Sequence, residues 1–229
     1  MAETNFLEVG LGQRSWSRHK EGAAQYAGGM THSEHADTGS SFSPGTTVLG
    51  SPRDVALATC VLELEAHQAL RGWDVPTTVF ALVRTSDALN ADPSLAQVLD
   101  DQTLAAAQEN PEALMAIEQE DLPAASTLEE LIAQLAWPQS VDGVAIATES
   151  IMLSEEDTTA AAQIEDTSQR EAFLASASGR EDVRVVAGVL RGGHAWSAVR
   201  LRSHDDENSV AQGHQLTPGL TQALAASLL

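Results

Sequence analysis

The sequence predicts an α+β domain over 51–229, an antiparallel or mixed sheet of about four strands covered by helices on one side, behind a disordered extension over 1–50. Three observations lead there. Eight of the sixteen glycines fall in the first fifty residues, among Ser, Thr and His and without a sustained hydrophobic period. Beyond residue 50, β-rich apolar runs and capped helical segments follow one another as helix, strand, helices, strand, hairpin and helix. Gly192-Gly193 separates two of those runs as a two-residue hairpin turn would.

The first helix starts at Ser51-Pro52-Arg53-Asp54, where Ser51 can cap, Pro52 suits the first helical position and Asp54 lies at the positive end of the dipole. Val55, Ala58, Val61, Leu62, Ala66, Ala69 and Leu70 recur at helical spacing, and Gly72 stops the run. After the turn at Trp73-Asp74-Val75-Pro76, residues 77–83 read as a nearly all-apolar, central strand. Asp92-Pro93, Asn110-Pro111 and the Ser126/Glu129 capping box mark three helix starts, the last helix ending near Trp137-Pro138. Residues 141–153 form a second strand, and 154–177 an acidic, alanine-rich loop or loose helix. The hairpin runs over 183–191 and 195–202; a two-residue turn sets Val189 opposite Trp196 and Val185 opposite Arg200, which puts Arg184 and Arg200 on opposite faces. A short extended piece near Val210 leads to a last helix capped by Thr217-Pro218.

Charge narrows the function. With 33 acidic against 12 basic residues and a net charge of −21, the chain repels nucleic-acid phosphates and anionic lipid. No Lys or Arg occurs between Arg84 and Arg170, an interval holding eighteen carboxylates, whereas five arginines fall between Arg180 and Arg202. No apolar run approaches the ~18 residues of a membrane span, and the start has no basic or apolar leader. One cysteine, Cys60, cannot form an intrachain disulfide, which suits a cytoplasmic location. Met30, followed by a polar run, offers an alternative translation start.

Reactive constellations are sparse. Glu63 and His67 share a helix face and could exchange protons, but no nucleophile or oxyanion site accompanies them. His204-Asp205-Asp206-Glu207 lacks the alternation and glycine of a calcium loop, and His19, His32 and His35 lack a third strong ligand. Gly188, Gly192 and Gly193 do not lead a strand into a helix as a phosphate loop does. Neither a cofactor nor a metal is expected. The sharpest candidate is a recognition patch on the sheet, Trp196 with Arg184, Arg200 and Arg202, which needs a pairing that brings the arginines to one face.

Several short pieces carry a likeness: residues 63–67 (ELEAH), 72–74 (GWD), 80–83 (FALV), 118–123 (EQEDLP), 136–138 (AWP), 183–191 (VRVVAGVLR) and 200–205 (RLRSHD). In that order they resemble an uncharacterised family of small acidic actinobacterial proteins, over most of 52–229. In that family an arginine tends to follow the Glu149 position and prolines the Leu153 position, where this chain has Ser150 and Ser154. The resemblance implies a bacterial cytosolic setting and transfers no catalytic residue.

The segregated charge and the one-sided sheet point to a non-enzymatic protein-binding or adaptor module with a protein partner. The alternative is an enzyme of an acidic metabolite, using Glu63 and His67 or the arginines; a homodimer through an uncovered sheet face is a third reading.

Overall fold

The computed structural model of the chain describes residues 50–177 and 179–229. The predicted disordered extension, with Met30, His19, His32 and His35, lies outside the described residues.

Ser51 Oγ accepts from the Asp54 amide at 3.2 Å while Asp54 Oδ2 accepts from the Ser51 amide at 2.9 Å. This reciprocal box, with Pro52 in the first turn, opens α1 (Pro52–Arg71), which ends at Gly72 as its sequence predicts. Its inward stripe is Leu57, Val61, Leu64 and Gln68, and Glu65 is buried with them.

The sheet has six strands against the approximately four expected. They are β1 (Thr78–Arg84), β2 (Leu114–Glu118), β3 (Gly143–Met152), β4 (Glu181–Leu190), β5 (His194–Leu201) and β6 (Ala211–Gly213). Their order is β2-β1-β3-β4-β5-β6 and every pair is antiparallel. β2 lies where a helix was expected to follow Asn110-Pro111. Asn110 Oδ1 instead accepts from the Glu112 amide at 3.0 Å and its carbonyl from the Ala113 amide at 2.9 Å, a turn built by the same side chain that could cap a helix. β6, at three residues, is too short to show a period.

Six more helices connect or cover the strands: α2 (Thr85–Ala91), α3 (Asp101–Glu109), α4 (Leu128–Ala133), α5 (Glu155–Ala162), α6 (Thr167–Ser176) and α7 (Pro218–Ala226). Asp92-Pro93 opens only a 3-10 turn, Pro93–Gln97. The α4 cap is Thr127 with Glu130, one residue on from the expected box, and α4 stops at Ala133, short of Trp137-Pro138. The stretch read as a loop or loose helix holds α5 and α6, capped by Ser154 and Asp166. Thr217 precedes α7, but its hydroxyl is buried against Ser197 Oγ at 2.6 Å instead of capping.

Strand alternation sorts the core into two layers. Phe80, Leu82, Val186, Trp196 and Ala198 pack against α1, while Val79, Ile146, Val185, Val189 and Val199 pack against α4 and α7. Helices therefore cover both faces, which corrects the one-sided sheet. The unbroken apolar runs of β3 and β4 fit this, since strands buried on both faces lose the polar alternation of half-exposed ones. α1 touches strands from β2 to β5.

The β4–β5 turn holds three residues, Arg191, Gly192 and Gly193, with Leu190 opposite His194. Gly192 and Gly193 take φ of +97° and +91°, the left-handed region that favours glycine. Arg191 is held in the turn because its guanidinium gathers carbonyls: Nε donates to Val141 O at 2.9 Å, Nη2 to Trp137 O at 3.2 Å and Nη1 to Leu228 O. The extra turn residue shifts the register by one from the two-residue reading, and such a shift moves every cross-strand neighbour to the other face. Arg184 now stands directly opposite Arg200, and Val185 opposite Val199.

Candidate functional site

The corrected register brings Arg184 and Arg200 to the same face, beneath α1. Both are buried there, and Glu65 descends from α1 between them. Arg200 forks onto that carboxylate, Nε to Oε1 at 2.6 Å and Nη2 to Oε2 at 2.7 Å, a paired geometry that only a guanidinium supplies. Arg184 Nη1 lies 3.7 Å from the same Oε1. Glu65 thereby separates two like charges that would otherwise repel across adjacent strands. Hydrogen bonding to Glu65, ahead of the counteracting burial, holds Arg200 still more firmly protonated than an ordinary arginine.

The same knot fixes the loop between α1 and β1. Arg184 stacks on the Trp73 ring, 4.4 Å from its centroid, and donates through Nη2 to Gly72 O. Arg202 lies 5.3 Å from the same centroid and forks onto Asp74 at 2.9 and 3.0 Å. Trp73 Nε1 donates to Asp205 Oδ2 at 2.8 Å, and Glu149, opposite Arg184 in the ladder, accepts from the Asp74 amide at 2.9 Å. Asp74 sits at φ +63°, a left-handed conformation uncommon outside glycine, and these bonds hold it there. Hydrogen bonding to Arg202 keeps the Asp74 carboxyl below its ordinary range.

Of the four residues that the sequence offers as a patch, Arg184, Arg200 and Trp196 are therefore buried, and Arg202 alone is largely open to solvent. Trp196 lies on the α1 face of β5, its ring centroid 6.3 Å from that of His214. Sequence reasoning missed Glu65, Asp74, Glu149 and Asp205. Glu65 could have been found, since it stands four residues after Val61 on the apolar stripe of α1. Both oxygens of Glu65 are engaged, so the knot ties the C-terminal end of α1 to the sheet and offers no free base.

A second charge cluster closes the other end of α1. Asp142 accepts from the Arg84 amide at 2.9 Å and lies 3.2 Å from Arg84 Nε, while Arg53 reaches Glu112 at 3.4 Å and Asp142 at 3.8 Å. Asp54 Oδ1 meets His194 Nδ1 at 2.7 Å, a contact that, ahead of the Ser51 bonds, lowers the Asp54 carboxyl below its ordinary 3.8.

Glu63 and His67 are exposed on the outer side of α1, away from the arginines. Partial covering, and then the nearby Asp100 carboxylate, raise the Glu63 carboxyl above its ordinary range. Cys60 is buried, which together with Glu63 pushes its thiol up to about 12. Among the described residues no three His, Cys, Asp or Glu side chains gather as metal ligands, and no helix is long and apolar enough to cross a membrane.

Residues 51–229 carry nine arginines and no lysine against 28 carboxylates. Besides the five already placed (Arg53, Arg84, Arg184, Arg200, Arg202), Arg191 holds carbonyls, Arg71 pairs with Glu118 at 3.5 Å and Arg180 with Asp182 at 3.2 Å. Among the described residues eight of the nine are thus engaged, and Arg170 lies on α6.

Over residues 57–229 the sequence matches the family described as PPA1309-like protein. The chain belongs to the PPA1309-like protein family. It is an uncharacterised family, as the resemblance implied, and the matched region takes in the Glu65 knot and all six strands while leaving the α1 cap outside. No curated protein and no solved structure matches the chain.

Proposed function

We propose that this PPA1309-like domain is a non-enzymatic protein-binding module whose carboxylate surface selects a basic partner. What supports the reading is the disposition of charge: eight of nine arginines are engaged by the domain's own carboxylates, carbonyls and Trp73, while carboxylates outnumber arginines about threefold. A surface of one sign speeds encounter with the opposite sign and disfavours like-charged partners. The side chains that could have formed a reactive set are instead paired with one another or stand apart on the outer side of α1. An acidic metabolite would meet an excess of carboxylates, with eight of the nine arginines already occupied.

Affinity capture from lysate of the source organism, washed at graded salt and read by mass spectrometry, tests the proposal. A basic protein retained at low salt and released at high salt is expected. Recovery of the chain alone at every salt concentration, or of acidic proteins only, refutes it.

A further inference from the structure

We infer that the outer edge of β2 is the docking edge of this module, and that its occupant is an extended basic segment of another protein, added to the sheet as a further antiparallel or parallel strand. The inference rests on the reading above that the partner is basic.

The ladder identifies the open groups. Thr85 N donates to Ala113 O at 2.9 Å and Gln119 N to Val79 O at 2.8 Å, so residues 113, 115, 117 and 119 turn their backbone groups toward β1. Leu114, Ala116 and Glu118 turn theirs away from it, and among the described residues those groups meet no hydrogen-bonding partner. An unpaired row of amides and carbonyls is a template for another strand. The other edge, β6, is three residues long and offers much less.

Edge strands are commonly guarded by lysine, proline, a bulge or an inward charge. β2 reads Leu-Met-Ala-Ile-Glu and has only its final carboxylate, with Ile117 45% exposed. What surrounds it is negative charge. Residues 85–121, which run from the end of β1 through β2, hold nine carboxylates and no Lys or Arg, and the arginines that reach them are Arg53, Arg71 and Arg84. That excess disfavours a second copy, because two β2 edges would bring the same carboxylates together. A strand bearing Lys or Arg meets the open ladder and the charge favourably at once.

The test uses the full chain and two labelled synthetic dodecapeptides of alternating Lys and Val, one plain and one N-methylated at every backbone amide, so that neither of its edges can donate. Their charges are equal, but only the plain peptide can complete a ladder. The plain peptide is expected to bind at least about ten-fold tighter and to slow hydrogen exchange at the Ala116 and Glu118 amides by about ten-fold or more. Ala116→Pro, which removes the amide at 116, should abolish the slowing at Glu118 with an unchanged urea midpoint, since the Ala116 N–H faces away from β1 and proline is tolerated at such edge positions. Should that variant unfold, the peptide comparison still decides, because it uses the unaltered protein. Equal binding of the two peptides, or slowing confined to other amides, overturns the inference. Slow Ala116 exchange without peptide overturns it too: if it is lost on replacing Arg14, Arg18 and Lys20 by Glu, the occupant is the chain's own basic run, and if it depends on protein concentration, the occupant is a second copy. Failure here leaves the basic-partner reading to be judged by the affinity capture.

Discussion

Removing the Glu65 carboxylate should be among the most destabilising single changes available to this domain. Glu65 is 2% exposed and is held by two short bonds from Arg200, with Arg184 at 3.7 Å. Glu65→Ala leaves two buried guanidinium groups facing each other on adjacent strands beneath α1, with the half-exposed Asp205, 3.4 Å from Arg200 Nη1, as the remaining counter-ion. Breaking a buried pair in this way costs about 3–5 kcal/mol, which for a domain of this size corresponds to a fall in Tm of roughly 6–20 °C. The charge-free combination Glu65→Leu, Arg184→Met, Arg200→Met removes the desolvation cost with the charges, and should lie at or above the parent by up to about 4 kcal/mol. Urea unfolding followed by circular dichroism, over a double-mutant cycle of Glu65→Ala and Arg200→Ala, isolates the pair. A loss below about 1 kcal/mol for Glu65→Ala, or a coupling energy near zero, would refute the description of the knot as a buried ionic tie.

Other predictions follow from neighbouring geometry. A Cβ at Gly188 would lie 2.8 Å from Val61 Cγ2 and 3.1 Å from Leu57 Cδ1, both buried side chains of α1. Gly188→Ala should therefore cost about 1–3 kcal/mol in urea unfolding by overpacking, and an unchanged midpoint would contradict the close approach of helix and sheet. Arg191→Lys cannot reproduce the fork onto Val141 O, Trp137 O and Leu228 O, and should lower stability by about 1–3 kcal/mol. The Cys60 thiol, with its pKa pushed up to about 12, should resist a thiol reagent at pH 8 in the native protein and react on unfolding. Because the Asp54 carboxyl is lowered in the folded state, the unfolded chain takes up its proton first. The stability that Asp54 contributes should be present above its ordinary 3.8 and be lost as pH falls below it. Asp54→Asn should accordingly narrow the difference between urea midpoints at pH 5 and pH 3; an equal difference in both proteins would contradict the assignment.

How far the sequence disclosed this arrangement depended on whether a signal was local. The box at Ser51 and Asp54, the stop at Gly72 and the β-rich run after it are complete within a few residues, so α1 and β1 were legible. Asn110-Pro111 misled because an asparagine that caps a helix and one that closes a turn make the same bonds, and β2 was hidden behind it. The hairpin was legible but its register was not. One residue decided it, and Arg191 is drawn into the turn by carbonyls from the segment before β3 and from the end of α7. That single residue separates a patch split between two faces from two arginines sharing Glu65. Likewise, the excess of carboxylates was plain from composition, whereas the engagement of eight arginines required the fold.

The account turns on that charge disposition selecting the partner, and the most direct measurement is the affinity of the full chain for its captured partner as ionic strength rises. A basic partner whose Kd weakens by about ten-fold or more as salt shortens the Debye length from about 10 Å toward 3 Å is the result the account predicts. An acidic partner, or an affinity indifferent to salt over that range, would contradict it.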